Sequence, residues 1–117
     1  MKRRILIMDS ERRWTKFASE RLDNYDVTVA ATPDEAFAQL DNDGYELVIA
    51  SSRFMDTLPT IRESYADKRV VVVTINPSVE EARDALKNGA LRYFVKSFKP
   101  YDLVDRVNEV IQLKSVV

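Results

Sequence analysis

VVVVT, Val70 to Thr74, is an unbroken run of β-branched side chains that stays apolar until its last residue. Alternating apolar and polar residues would mark a strand with one wet face. This run is apolar on both faces, as a central strand of a parallel sheet must be when helices cover it on both sides. Moving outward from it, the chain offers four further short runs of the same kind: YELVIA (45–50), DVTVAA (26–31) and RILIM (4–8) upstream, and RYFV (92–95) downstream.

The intervals between these runs have helical periodicity. WTKFASERL places Trp14, Phe17, Ala18 and Leu22 at helical spacing. TPDE reads as a helix start: Thr32 caps, Pro33 takes the first helical position, and Glu35 completes a capping box. That helix turns Ala36, Phe37 and Leu40 inward and ends near Gly44. PSVEEARDALKNG repeats the signature with Ser78, Glu81 and a terminal Gly89, and KPYDLVDRVNEVIQL sets Leu103, Val104, Val107, Val110 and Ile111 on one stripe. Phe54 to Asp67 is the least regular interval, and IRESYA within it predicts a short helix.

Strands that alternate with helices predict an α/β fold: a doubly wound, five-stranded parallel sheet with five helices and right-handed crossovers, a single domain over residues 1–117. In such sheets the site lies at the carboxyl ends of the strands, beside the point where strand order reverses. The residues expected there are Asp9, Ser10 and Glu11 after strand one, Ser51 and Ser52 after strand three, Thr74 after strand four and Lys96 after strand five.

Composition narrows the chemistry. The chain has 117 residues, 45% hydrophobic and 32% charged, which is enough for a real core. Its net charge of −1 supplies no bulk field for nucleic acid or an acidic membrane surface. The absence of cysteine removes disulfides and thiol catalysis, and the absence of histidine removes the usual general base and the commonest metal ligand. With two glycines in all, no glycine-rich loop is available to cradle phosphates. The basic MKRR start precedes too short an apolar run for a signal peptide, and nothing approaches the roughly 20 apolar residues of a membrane span, so the expectation is a cytoplasmic protein.

The pieces RILIMDSE, YELVIAS, VVVVT and, above all, ALKNGALRYFVKSF resemble the receiver domains of bacterial two-component response regulators, over nearly the whole chain. The resemblance implies a CheY-like, flavodoxin-like strand order. It also implies a pocket in which two acids after strand one and an aspartate after strand three hold Mg²⁺, the last accepting a phosphoryl group. Asp9 matches the first acid, but Ser10 stands at the second and Ser51 at the acceptor; Thr74 and Lys96 match the groups that bind the phosphoryl, and Tyr93 matches the aromatic that reports it. Mg²⁺ wants hard anionic oxygens, and an un-ionised serine with no histidine nearby is a poor nucleophile. The expectation is therefore a degenerate phosphorylation pocket with no cofactor, no metal and no catalysis. The family's proline after the lysine is Ser97 here, its proline past the acceptor is absent, and Ser51 to Thr74 is short for the family.

Plainer roles are also open. Without the acceptor carboxylate, Lys96 is expected to pair with Asp9 as a structural salt bridge. Ser51 reads as a polar cap on a strand end, and a Ser51/Lys96 nucleophile–base dyad lacks an oxyanion site. Asp56 reads as a helix-start charge, and Glu11 as a first-turn acid. Phe94 and Phe98 are divided between core and surface. Lys2, Arg3 and Arg4 with Arg12 and Arg13 form a basic cluster near one end of strand one, with solvated surface its ordinary role.

The function these readings support is a phosphorylation-independent receiver that acts as a protein interaction module in a bacterial regulatory pathway. It would bind through the face made by helix four, strand five and helix five, with Tyr93, Phe98 and Tyr101 as its switch and contact residues. The partner would be another protein, a fused output domain or a second copy, and nucleic acid would be reached only through a fused domain. The alternatives are a phosphoacceptor using Asp9 or Asp56, and a small-molecule sensor. The closing IQLKSVV reads equally as a natural end or as the start of a linker.

Overall fold

A computed structural model describes residues 2–42, 44–99 and 101–113; Pro100, which precedes the last helix, and the Lys114–Val117 end of the closing stretch lie outside them. The elements run β1 (Arg4–Met8), α1 (Arg12–Arg21), β2 (Asp26–Ala30), α2 (Pro33–Asp41), β3 (Tyr45–Ser51), a 3-10 segment (Ser52–Thr57), α3 (Leu58–Ser64), β4 (Arg69–Thr74), α4 (Val79–Lys87), β5 (Arg92–Val95) and α5 (Asp102–Gln112). The sheet is parallel with order β2-β1-β3-β4-β5, so the order reverses between β1 and β3. This is the doubly wound α/β architecture expected from the strand and helix periods.

The two-residue period of the strands sorts their side chains into two cores. Ile5, Ile7, Leu47, Ile49, Val71 and Val73 point to the layer of α1 and α5, where they meet Trp14, Ala18, Leu103 and Val107. Leu6, Met8, Val48, Ala50, Val70 and Val72 point the other way, onto Ala36, Leu40, Leu58, Ile61 and Ala85. Each of the larger of these side chains, fully removed from water, contributes roughly 1.5–3 kcal/mol, which is why the buried middles of the central strands, Ile5–Met8, Leu47–Ala50 and Val70–Val73, carry no polar residue.

Helix starts follow their caps, with one variation. The Thr32 hydroxyl accepts the Glu35 N–H, and the Ser78 hydroxyl accepts the Glu81 N–H. The return contact of a capping box, however, is redirected. The Glu35 carboxylate accepts from the Ala31 N–H, one residue before the cap, and the Glu81 carboxylate accepts from the Tyr93 hydroxyl. Gly89, at φ 106°, closes α4 in the left-handed region that a side chain would strain.

Three expectations are corrected. The helix expected over IRESYA is α3, which begins earlier, at Leu58, because Pro59 fits the first helical turn, where its missing N–H costs nothing; Tyr65 and Ala66 fall outside it. Glu11 is not a first-turn acid but the residue before the helix, and α1 opens with Arg12 and Arg13 and no side-chain cap. Lys2, Arg3 and Arg4 lie at the amino end of β1 while Arg12 and Arg13 lie beyond its carboxyl end, so they form two groups; Arg3 and Arg4 pair with Glu46 and Asp26.

Candidate functional site

The carboxyl ends of β1, β3, β4 and β5 converge at one edge of the sheet. Backbone ladders extend there beyond the strands proper: Asp9 N–H donates to Ala30 O at 3.0 Å, and Lys96 N–H to Thr74 O at 2.8 Å. These bonds fix the backbones from which the two charged side chains reach inward. The Lys96 ammonium lies 2.7 Å from Asp9 Oδ2, with the two side chains only 5% and 1% exposed. Asp9 Oδ1 accepts the Glu11 N–H at 2.9 Å, so both carboxylate oxygens are engaged. The half-exposed Glu11 carboxylate stands 3.6 Å from the same ammonium, and the Trp14 ring lies beneath it, 5.1 Å from nitrogen to ring centre.

The hydroxyl groups form a second, separate set. Ser51 is the last residue of β3 rather than the first after it, opposite Val73, and its hydroxyl accepts the Arg53 N–H at 3.3 Å. That is the strand-end cap. Ser52, not Ser51, reaches across: its hydroxyl donates to Thr74 Oγ1 at 3.2 Å, and Thr74 Oγ1 also accepts the Asn76 N–H. Ser10 is exposed beside Asp9. Asp56 is exposed in the 3-10 segment.

Such a donor set does not suit Mg²⁺. The metal needs several hard anionic oxygens, whereas Ser10 and Ser51 are neutral and the Asp9 carboxylate already holds an ammonium. No group of three or more Asp or Glu side chains that could hold a metal ion gathers among the described residues.

Tyr93 projects from β5 toward α4. Its hydroxyl donates to Glu81 Oε1 at 2.7 Å and accepts the Ser78 N–H at 3.2 Å, tying the first turn of α4 to the sheet. Glu81 and Ser78 are partners that sequence reading assigned only to helix capping. Burial pushes the Tyr93 phenol above its ordinary range and the bond to Glu81 adds to this, outweighing the Ser78 N–H and Thr74, which act the other way. A raised value favours the neutral phenol in the folded state. Its contribution is complete below the ordinary tyrosine value of about 10 and is lost as pH climbs through the raised one. Tyr93→Phe is therefore expected to show a shallower loss of stability above about pH 10 than the parent, measured by urea melts across the alkaline range. Equal slopes would show that the tie does not hold the proton.

The aromatic group expected on a single face is divided. Tyr101 is 76% exposed, whereas Phe98, 55% exposed, turns to α1 and packs on Phe17 with ring centres 5.0 Å apart. Phe94 belongs to the core. Along α4 and β5, Val79, Leu86 and Val95 are each about half exposed or more, as is Ile75 in the connection between β4 and α4.

Comparison with known proteins agrees with this fold. The family described as response regulator receiver domain matches residues 5–108. The transcriptional regulatory protein ZraR of Salmonella typhimurium is 34% identical over 93 residues, covering 75% of this chain and 20% of that protein. The alginate biosynthesis transcriptional regulatory protein AlgB of Pseudomonas aeruginosa is 32% identical over 108 residues, covering 86% of this chain and 24% of that protein. The chain thus spans a quarter or less of the length of these curated relatives. A response regulator from Thermotoga maritima shares the fold at a TM-score of 0.90 and 24% identity, with 97% of this chain and 100% of that one covered.

Proposed function

We propose, for a chain that belongs to the response regulator receiver domain family, that it signals without accepting a phosphoryl group and works as a protein interaction module rather than an enzyme. The observation behind this reading is the 2.7 Å contact of the buried Lys96 ammonium with Asp9, beside a strand-three end whose acceptor position is Ser51. The cation that should meet an incoming phosphoryl is already neutralised. The acid that should help hold metal is consumed, and a hydroxyl in place of a carboxylate offers no anionic nucleophile.

On this reading the pocket is held in one state, and information passes by contact across the α4–β5–α5 face. Val79, Leu86, Val95 and Tyr101 supply an apolar surface that a second copy, a protein partner or a fused output domain would cover. The relatives' description as transcriptional regulatory proteins supports an output domain elsewhere in a longer chain, and any contact with DNA would belong to that domain. No described helix is long and apolar enough to cross a membrane.

The test is a titration with Mg²⁺ and beryllofluoride, read by Trp14 fluorescence, since the indole lies directly under the Lys96 ammonium. The expected result is no change up to millimolar metal. A saturable change would show that Asp9 and Glu11 still hold a cation and would overturn the reading in favour of a conventional switch.

A further inference from the structure

The sheet has two edges, β2 and β5, and the β2 edge carries none of the devices that usually stop an edge from pairing. Asp26–Ala30 contains no proline and no lysine, and its register with β1 has no bulge. Its one charge, Asp26, is paired with Arg4. In a parallel ladder alternate residues turn their backbone groups to the same neighbour. Asp26 N–H donates to Arg3 O, and Ala30 O accepts from Asp9 N–H, so Asp26, Thr28 and Ala30 face β1. Val27 and Val29 therefore turn their N–H and C=O groups outward, where no described residue bonds them.

We infer that a second copy of the chain pairs along this edge, antiparallel, about a two-fold axis at Thr28. The strand reads Val-Thr-Val about that residue, so Val27 of each copy meets Val29 of the other. Both members of each pair present a donor and an acceptor, and each pair exchanges both bonds. A slip of one residue sets outward groups against inward ones. A slip of two sets a valine against Tyr25 or Ala31, whose N–H groups already go to Leu22 O and the Glu35 carboxylate. Only the register centred on Thr28 uses every outward group.

Side chains agree with that register. A groove of about 620 Å³ lies between α1 and the end of β2, walled by Arg12, Lys16 and Ser19 and floored by Val29, which is 42% exposed. Val27 of the second copy would enter it and cover Val29. On the other face Thr28 meets its counterpart; its hydroxyl accepts from Tyr45 at 3.0 Å and keeps its own proton to donate. Asp26 meets Ala30, so no like charges oppose. Helix α1 has Arg12 and Lys16 toward its start, and exposed Glu20 and Asp23 near and just past its end. The two-fold sets start against end, and cations against acids. Arg21 is turned away, over the Phe17 ring. An unrelated extended segment would take the backbone bonds but not this alternation of charge. The pairing leaves the α4–β5–α5 face uncovered at the opposite edge and does not rest on the function proposed for it.

Amide hydrogen exchange between about 10 μM and about 1 mM chain, with sedimentation velocity on the same samples, tests the pairing. The expected result is a dimer with a Kd on the order of 100 μM, whose formation slows exchange at Val27 and Val29 about fivefold at the upper concentration. Val29→Lys keeps every backbone group; it should leave the melting temperature within about 3 °C and abolish the dimer. Val29→Pro removes one outward N–H and should abolish it as well. A chain that stays monomeric throughout, or that dimerises while Val27 and Val29 exchange freely, would overturn the inference whatever the variants do. A dimer that survives Val29→Lys and is lost on Val95→Lys would also overturn it, and would assign self-association to the α4–β5–α5 face.

Discussion

Lys96→Met is expected to destabilise the domain by about 3–5 kcal/mol, because it leaves the Asp9 carboxylate buried and without its counter-ion. Asp9 is 1% exposed at its side chain, so water cannot replace the ammonium, and its remaining hydrogen bond from the Glu11 N–H engages only one oxygen. Glu11 adds little to the loss, since its own carboxylate is 41% exposed and screened. A second substitution distinguishes the charge effect from lost packing. Asp9→Asn on the Lys96→Met background removes the orphaned charge and should recover most of the stability in urea melts, giving a large coupling energy in the double-mutant cycle. A cost below about 1 kcal/mol for Lys96→Met alone would mean that the pair does not hold the pocket, and the locked receiver would fail with it.

The second expected result is a gain of chemistry. Ser10→Asp with Ser51→Asp should give a protein that takes up one phosphoryl group from acetyl phosphate when Mg²⁺ is present, seen by intact mass, whereas the parent takes up none. The carboxylate introduced at position 51 would attack phosphorus, acetate would leave, and an acyl phosphate would form. Serine in the parent is un-ionised and lacks a base. Without metal the double variant should melt lower than the parent, since Asp9 and the new acids then share Lys96. Added Mg²⁺ should restore stability by binding only the folded state. Equal phosphoryl uptake by the parent would overturn the account of Ser51 as a strand-end cap.

The two results approach the same pocket from opposite sides. The first removes the internal cation and measures what it held, and the second rebuilds the anionic oxygens and asks whether a metal can replace that cation. Between them they divide the present arrangement into its electrostatic and its chemical parts.

Much of this pocket's membership was legible before its geometry. Asp9, Thr74 and Lys96 follow strand-like runs, and parallel sheets bring such positions to one edge. That Lys96 would meet Asp9 came from the family likeness, because nothing local to either residue points to the other. Sequence reading weighted Ser51 over Ser52 because the family likeness sets Ser51 at the acceptor position; in the fold β3 runs on through Ser51, whose hydroxyl caps the strand end, and it is Ser52 that reaches Thr74. Phe98 had no periodicity to place it, lying between β5 and α5, and its turn toward Phe17 depends on where α1 packs. The Ser52–Thr57 segment was missed for the same reason: two short 3-10 pieces joined across a kink at Phe54 have too few residues to show a period.

By itself the sequence determined the kind and order of the elements. Unbroken β-branched runs, helical spacing, and caps at Thr32 and Ser78 act within a few residues and need no partner to be read. Only the tertiary structure decided which polar groups meet. Strand order β2-β1-β3-β4-β5 and helix packing bring Lys96 to Asp9, Ser52 to Thr74 and Tyr93 to Glu81. Those contacts depend on directions and distances accumulated along the whole chain, and each is worth forming only where the surrounding core has already excluded water.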